Sequence, residues 1–419
     1  MHRKEVLPNG LTILTEEMPT LRSVSLGVWL KQGSRHETPE ENGISHFIEH
    51  LLFKGTQKRT AADIARTIDS IGGQCDAFTS KEYTCFYARV LDEQLPLALD
   101  LLSDIVLHPK FEPDQIEKER KVIFEEIKMV EDSPDELLYD LFTENFWRDH
   151  PLGRPIQGTV ASVSALGPDV LMKFFRESYD PVNVVIAAAG RLDQMRFAEM
   201  ARESFSRMPS AGKPRPVTPP ASHAGIITKE KKDLEQLHLC LGVGAYPQAH
   251  EHRYAGYVMN TLLGGTMSSR LFQKIREERG LAYSVFSSVS SFADTGYLMV
   301  YAATRPGGGH EVLDQICNEL RRLKEVPIEE SEMRAARDHL KGSMMLSLES
   351  SSSRMSNLAR QEIYFNQQFS LDEVIAGVDR VTTADVQSLA RGLLLSSKCT
   401  VAVLGNLSSL SLSPDRIQF

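Results

Sequence analysis

The chain has 419 residues, 42% of them hydrophobic and 25% charged, which is too long for one ordinary core and a poor fit to a disordered or fibrous protein. A formal net charge of −9 and the absence of any long basic block speak against nucleic-acid binding. No apolar run approaches the roughly 20 residues a membrane span needs. The five cysteines, odd in number and without a CxxC spacing, fit reduced thiols. Met1 to Leu7 carries no apolar signal core, so a cytoplasmic protein is expected.

In chain order, the Asn9-Gly10 turn signal precedes an apolar alternation, Val24, Leu26, Val28 and Leu30, that predicts a half-buried strand. The polar loop Gly33 to Asn42 follows, with Asn42 placed to cap a helix that Gly55 would end. Next come a strand pair across Gln74 to Val90, a helix from about Leu95 to Val106, a long charged helix from about Asp114 to Val130, and a strand Val182 to Ala189 closing at Gly190. Residues 209–224, rich in proline, read as a linker, because proline lacks the amide donor that helices and central strands need. Beyond them the order recurs: strand His238 to Gly244, helix Tyr254 to Leu263, strands Tyr283 to Phe292 and Tyr297 to Thr304, helices Glu311 to Leu323 and Glu329 to Leu348, and strand Thr400 to Leu404 closing at Gly405. The offset is about 215 residues throughout, which marks an internal duplication. The expected architecture is α+β, with two homologous domains, 1–208 and 225–419, each a mostly antiparallel sheet packed with helices.

The chemistry is concentrated in His46-Phe47-Ile48-Glu49-His50. On a helix, residues four apart share a face one turn apart, so one metal ion can take both imidazoles, while Glu49 stays beside them unligated. HxxEH is the reverse of the commoner HExxH and meets the same demand: two neutral nitrogens on zinc and a carboxylate next to its water. At the corresponding place the second half offers Gly256 to Thr261, without a ligand pair.

A hydrolytic zinc site usually takes a third protein ligand. In the long helix, Ile116, Ile123, Ile127 and Val130 define an inward stripe along which Glu119 and Glu126 also fall, whereas Glu125 shares its face with Lys118 and Lys121. A carboxylate on an apolar stripe needs a charge partner, and a metal is one. Glu126 is the expected ligand; Glu119, two turns earlier, orients a histidine, balances charge, or makes a structural ion pair with an arginine. Matching Ile116 to Met333 puts Ala336 and Ser343 where Glu119 and Glu126 stood, so both carboxylates vanish from the half that lacks HxxEH.

With HxxEH and a downstream glutamate in a long helix, the chain resembles the inverzincins of the pitrilysin/insulinase class, in particular their short two-domain members similar to processing-peptidase β subunits. Gly43 to Thr56 reads like the family's zinc helix, and Glu119 and Glu126 stand at its glutamate positions. The resemblance implies a Zn²⁺-dependent endopeptidase acting on extended peptides or unfolded segments, with His46, His50 and Glu126 on the metal, its water as nucleophile and Glu49 as general base. It also implies a substrate-binding edge strand at Asp76, Ala77, Phe78 and Thr79, although Asp76 stands where relatives usually carry Asn. Arg276 to Tyr283 matches the family's Arg/Tyr motif, both residues facing substrate; pattern alone reads them as a helix-surface charge and a strand residue. One chain carrying both motifs implies a homodimer, with Arg276 and Tyr283 completing the partner's site. The rival expectation is a non-catalytic core or interaction subunit of the same fold.

Overall fold

The computed structural model describes residues 2–208 and 216–419, so part of the expected linker, 209–215, lies outside the described residues. In the first half, β1 (His2–Val6), β2 (Thr12–Glu17), β3 (Ser23–Leu30), β4 (Gln74–Thr79), β5 (Thr84–Leu91) and β6 (Val184–Gly190) form one sheet in the order β1-β2-β6-β3-β5-β4. In the second, β7 (Gly225–Glu230), β8 (Leu237–Ala245), β9 (Ala282–Ser291), β10 (Gly296–Thr304) and β11 (Thr400–Gly405) form another in the order β7-β11-β8-β10-β9. Without β1 the two orders coincide strand for strand. The pairs β2–β6 and β7–β11 are parallel and the other neighbours antiparallel. The α+β duplication read from spacing is therefore a duplication of topology. Gly190 and Gly405, which end the equivalent strands β6 and β11, share φ values of +134° and +139° that a side chain rarely tolerates.

Apolar patterning explains which faces are covered. Strand β6 is buried along its whole length because Val184, Ile186 and Ala188 enter one core while Val185, Ala187 and Ala189 enter another on the opposite face. The same holds for β3, which corrects the expectation of a half-buried strand: Val24, Leu26, Val28 and Leu30 face the larger core, and the other face is closed by the helix Ser351–Phe365. There the Trp29 indole N–H donates to Met355 Sδ at 3.2 Å and the Ser25 and Ser351 hydroxyls lie 2.9 Å apart. No periodicity inside β3 could announce a cover that arrives more than three hundred residues later.

The second sheet is closed in the complementary way. Helix Pro134–Phe146, from the first half of the sequence, packs Leu138, Phe142 and Phe146 against Cys240, Tyr297, Ala402 and Leu404. The chain accordingly groups into two discontinuous compact units: 1–129 with 154–218 and 347–368, and 130–153 with 219–346 and 369–419. This grouping departs from the expected halves, 1–208 and 225–419, at these two segments, whose apolar faces find their partners across the sequence midpoint. Among the described residues no helix is long and apolar enough to cross a membrane.

Candidate active site

The HxxEH sequence occupies the helix Ile44–Leu52. Its start differs from the expected Asn42 cap. Gly43 is the N-cap, at φ +94°, and the helix's first amides are taken by the Glu37 carboxylate, which accepts from Gly43 N and Ser45 N at 2.9 Å each and from Asn42 Nδ2 at 3.3 Å. Burial pushes the Glu37 carboxyl up to about 7, opposed by the bonds from the Ser45 and Gly43 amides. Gly55 lies beyond the C-cap, which is Phe53. Ile44, Phe47, Ile48, Leu51 and Leu52 anchor the helix in the core and leave the histidines and Glu49 on the opposite side.

His46 Nε2 and His50 Nε2 are 3.3 Å apart, and Glu126 Oε2 is 3.6 Å from each. Four donors at 2.0–2.1 Å from a tetrahedral zinc stand about 3.3–3.4 Å apart, so this triangle has the size of one face of such a site. His46, His50 and Glu126 each offer one ligand atom, and these lie within 4.8 Å of one another. Burial, followed by the neighbouring His50, holds His46 down at about 4, which keeps its ring neutral, as a metal ligand must be.

Glu126 projects from the long helix Pro113–Asp132, whose buried residues are Ile116, Glu119, Ile123 and Ile127. Glu126 lies two turns after Glu119 on the same line, but its side chain is 37% exposed, although the next residue, Ile127, is still buried in the core. The expectation of a core carboxylate is corrected to that extent: Glu126 is held at the donor triangle and not sealed in the core. Glu119 is the buried one. Its Oε2 is 3.3 Å from His50 Nδ1 and its Oε1 is 3.0 Å from Lys54 Nζ, so its cationic partner is Lys54 rather than an arginine. An ionised carboxylate only accepts, so His50 carries its proton on Nδ1 and turns a free Nε2 lone pair toward Glu126 and His46.

Glu49 Oε2 accepts from Thr79 Oγ1 at 2.5 Å. Burial raises its carboxyl to about 7, the Thr79 bond opposes this, and the nearby charges of Asp76 and Glu126 add to it. Thr79 ends β4, the edge strand of its sheet, so Asp76, Ala77, Phe78 and Thr79 do lie on an unpaired edge beside the HxxEH helix. Ser80 N donates to Tyr83 O at the hairpin, and antiparallel alternation from that pair turns the backbone groups of Cys75, Ala77 and Thr79 outward. Ala77 N is capped by Asp76 Oδ1 at 2.8 Å. Only side chains 75, 77 and 79 face the helix; Asp76 and Phe78 alternate to the other face.

The remaining expected residues belong to the other compact unit. Arg276 sits in a π-helical turn, Phe272–Glu277, a local geometry frequent at functional sites. Its guanidinium carbon is 4.7 Å from the Tyr283 ring centroid and 4.8 Å from that of Phe272, and Tyr283, on the edge strand β9, is 76% exposed. The structure thus brings His46, Glu49, His50, Glu119 and Glu126 together with Thr79, and pairs Arg276 with Tyr283 separately. Sequence reasoning missed Glu37 and Lys54: Glu37 is six and eight residues from the two amides it caps, outside any local capping pattern, and Lys54 gave no signal beyond its place one turn after His50.

Known proteins resemble the chain along most of its length. Residues 12–160 match the insulinase (peptidase family M16) model and residues 165–340 the peptidase M16 inactive domain. The uncharacterized zinc protease YmxG of Bacillus subtilis is 43% identical over 393 residues, covering 94% of this chain and 96% of the relative. Among solved structures, a protease from Helicobacter pylori superposes with a TM-score of 0.91 at 22% identity, over 97% of this chain and 99% of that one. A chain of complex III2 from Candida albicans superposes with a TM-score of 0.86 at 20% identity, over 100% of both. Family-model matches along most of the chain, and a zinc-protease relative matched almost end to end, make this chain a member of the insulinase family of peptidases, M16, with zinc as its cofactor.

Proposed function

We propose that the chain is a zinc-dependent endopeptidase that hydrolyses extended peptides or unfolded segments, in precursor processing or oligopeptide degradation. The observation that carries this reading is the His46–His50–Glu126 donor triangle with the Glu49 carboxylate beside it, hydrogen-bonded to the open edge strand. His46, His50 and Glu126 would hold the zinc, which when bound supplies Lewis acidity to water and to the scissile carbonyl. The outward amides and carbonyls of β4 take the peptide as an added strand, reading backbone more than side chains. Glu49 removes a proton from the attacking water and returns it to the leaving nitrogen. Glu119 keeps His50 in its Nδ1–H form. Arg276 and Tyr283 donate to the carbonyl oxygen as negative charge develops on it, in our reading from the partner chain of a cytoplasmic homodimer whose chamber encloses the peptide.

The rival reading, a non-catalytic core subunit, draws on the likeness to the complex III2 chain, which extends to fold alone. A complete donor set with its supporting Glu119 favours the enzyme. Mass spectrometry of products from a mixed peptide library, with and without chelator, tests the choice. Chelator-sensitive cleavage that Glu49→Gln abolishes while retaining zinc is expected; cleavage persisting in Glu49→Gln would remove its role as base, and zinc-free, inactive protein would favour the core subunit.

A further inference from the structure

Strand β4 has a second face. Cys75, Ala77 and Thr79 turn toward the HxxEH helix and the core beside it, so Gln74, Asp76 and Phe78 point the other way. On that side lies a cleft of about 550 Å³ between Gln74, Phe78, Tyr87 and the helix Ser351–Phe365 with the turn before it. Its floor is apolar: the Phe78 ring stands edge-on to Trp29 at 5.7 Å, 6.2 Å from the Tyr87 ring, and Met355 closes it from the helix. Its helix wall carries Ser352 and Ser356. At the rim, Arg360 is exposed on the helix side and Asp76 on the strand side, so the rim carries both signs of charge around an apolar floor.

Resting on the reading that a peptide adds to β4, we propose that this cleft is a side-chain subsite that selects large aromatic or aliphatic residues at alternate positions on one flank of the scissile bond. An added strand projects successive side chains to opposite faces, and those sharing the face of Phe78 enter the cleft. Thr79 holds Glu49, so the reacting bond sits at that end of β4. The stretch from Gln74 to Phe78, roughly 13 Å at strand rise, extends along one side only and takes two side chains two residues apart. A large apolar side chain half-buried against Phe78 and Tyr87 gains about tenfold in kcat/KM over alanine.

The test is kcat/KM of the full-length, zinc-loaded protein on peptides varied one position at a time, with cut sites mapped by mass spectrometry. We expect a preference of about tenfold for Phe, Tyr or Leu over Ala, at two positions separated by one, on one side of the cut. Ser356→Trp, which fills the cleft from the helix, should erase that preference while alanine peptides are still cleaved. Thermal unfolding unchanged from wild type certifies that this variant is folded. Preference at consecutive positions, or one surviving Ser356→Trp, overturns the subsite. Failure of the wild-type protein to cut any peptide would instead overturn the peptidase reading on which the subsite rests.

Discussion

Glu119 offers the sharpest test of how the site is built, because its two oxygens serve two different groups: Oε2 the His50 Nδ1–H and Oε1 the Lys54 ammonium. Glu119→Ala leaves a part-buried imidazole N–H without its acceptor, at about 1–3 kcal/mol, and an ammonium that is one-third exposed and so partly rescued by water. It also frees His50 to adopt the tautomer with its proton on Nε2, where no metal can bind. Loss of such a supporting acceptor weakens zinc binding by roughly 10- to 100-fold. Glu119→Gln keeps an oxygen for Nδ1–H and loses only the charge, so it belongs at the lower end. The assay is zinc affinity by competition with a chromophoric chelator, paired with melting temperature with and without zinc. With zinc a thousandfold above the wild-type Kd, binding adds about 4 kcal/mol to stability, and a hundredfold weaker variant retains about 1.4. The zinc-induced shift in melting should thus shrink by about two thirds in Glu119→Ala. Wild-type zinc affinity in Glu119→Ala would refute the tautomer argument outright.

Other consequences follow from the same geometry. Glu126→Ala removes one of the three donors of the triangle and should abolish stoichiometric zinc after dialysis, measured by elemental analysis; retained stoichiometric zinc would place the third ligand elsewhere. Glu37 has its carboxyl raised to about 7, so its contribution to stability is complete below its ordinary value of 4.5 and is lost as pH rises through about 7. Relative to Glu37→Gln, the wild type should therefore lose about 3 kcal/mol between pH 4.5 and 7 in urea titrations, and parallel curves would show that Glu37 titrates normally. Met355→Ala opens a cavity beneath Trp29 and should cost about 2–5 kcal/mol, read as a lower urea midpoint; a loss under about 1 kcal/mol would show that the helix Ser351–Phe365 does not hold β3.

Much of this site was legible because its chemistry is local. His46, Glu49 and His50 need one helical turn to meet, and a two-turn spacing puts Glu119 and Glu126 on one line. The duplication was equally visible, since strands and long helices recur in order; Met333 and Ala336 are buried where Ile116 and Glu119 are, as the internal match requires. Contacts distant in sequence stayed hidden. Glu37 reaches over a loop to cap the helix, Lys54 turns back onto Glu119, and helices Pro134–Phe146 and Ser351–Phe365 find their partners across the midpoint. No pattern within a short window encodes such pairings. The edge strand and the Arg276–Tyr283 pair came from family resemblance, because alternation alone does not distinguish an edge strand from an inner one.

The borrowed helix constrains how the protein is made. Once β6 has left the ribosome, the first sheet has all its strands, but Leu14, Trp29, Val185 and Ala187 stay uncovered until Ser351–Phe365 emerges. About 160 residues separate Gly190 from Ser351, which at 5–20 residues per second means on the order of 8–32 s of translation. During that interval a greasy strip faces water, so the nascent chain is a natural client for holding chaperones, and a truncation ending before Ser351 should aggregate instead of yielding a free-standing metal-binding fragment.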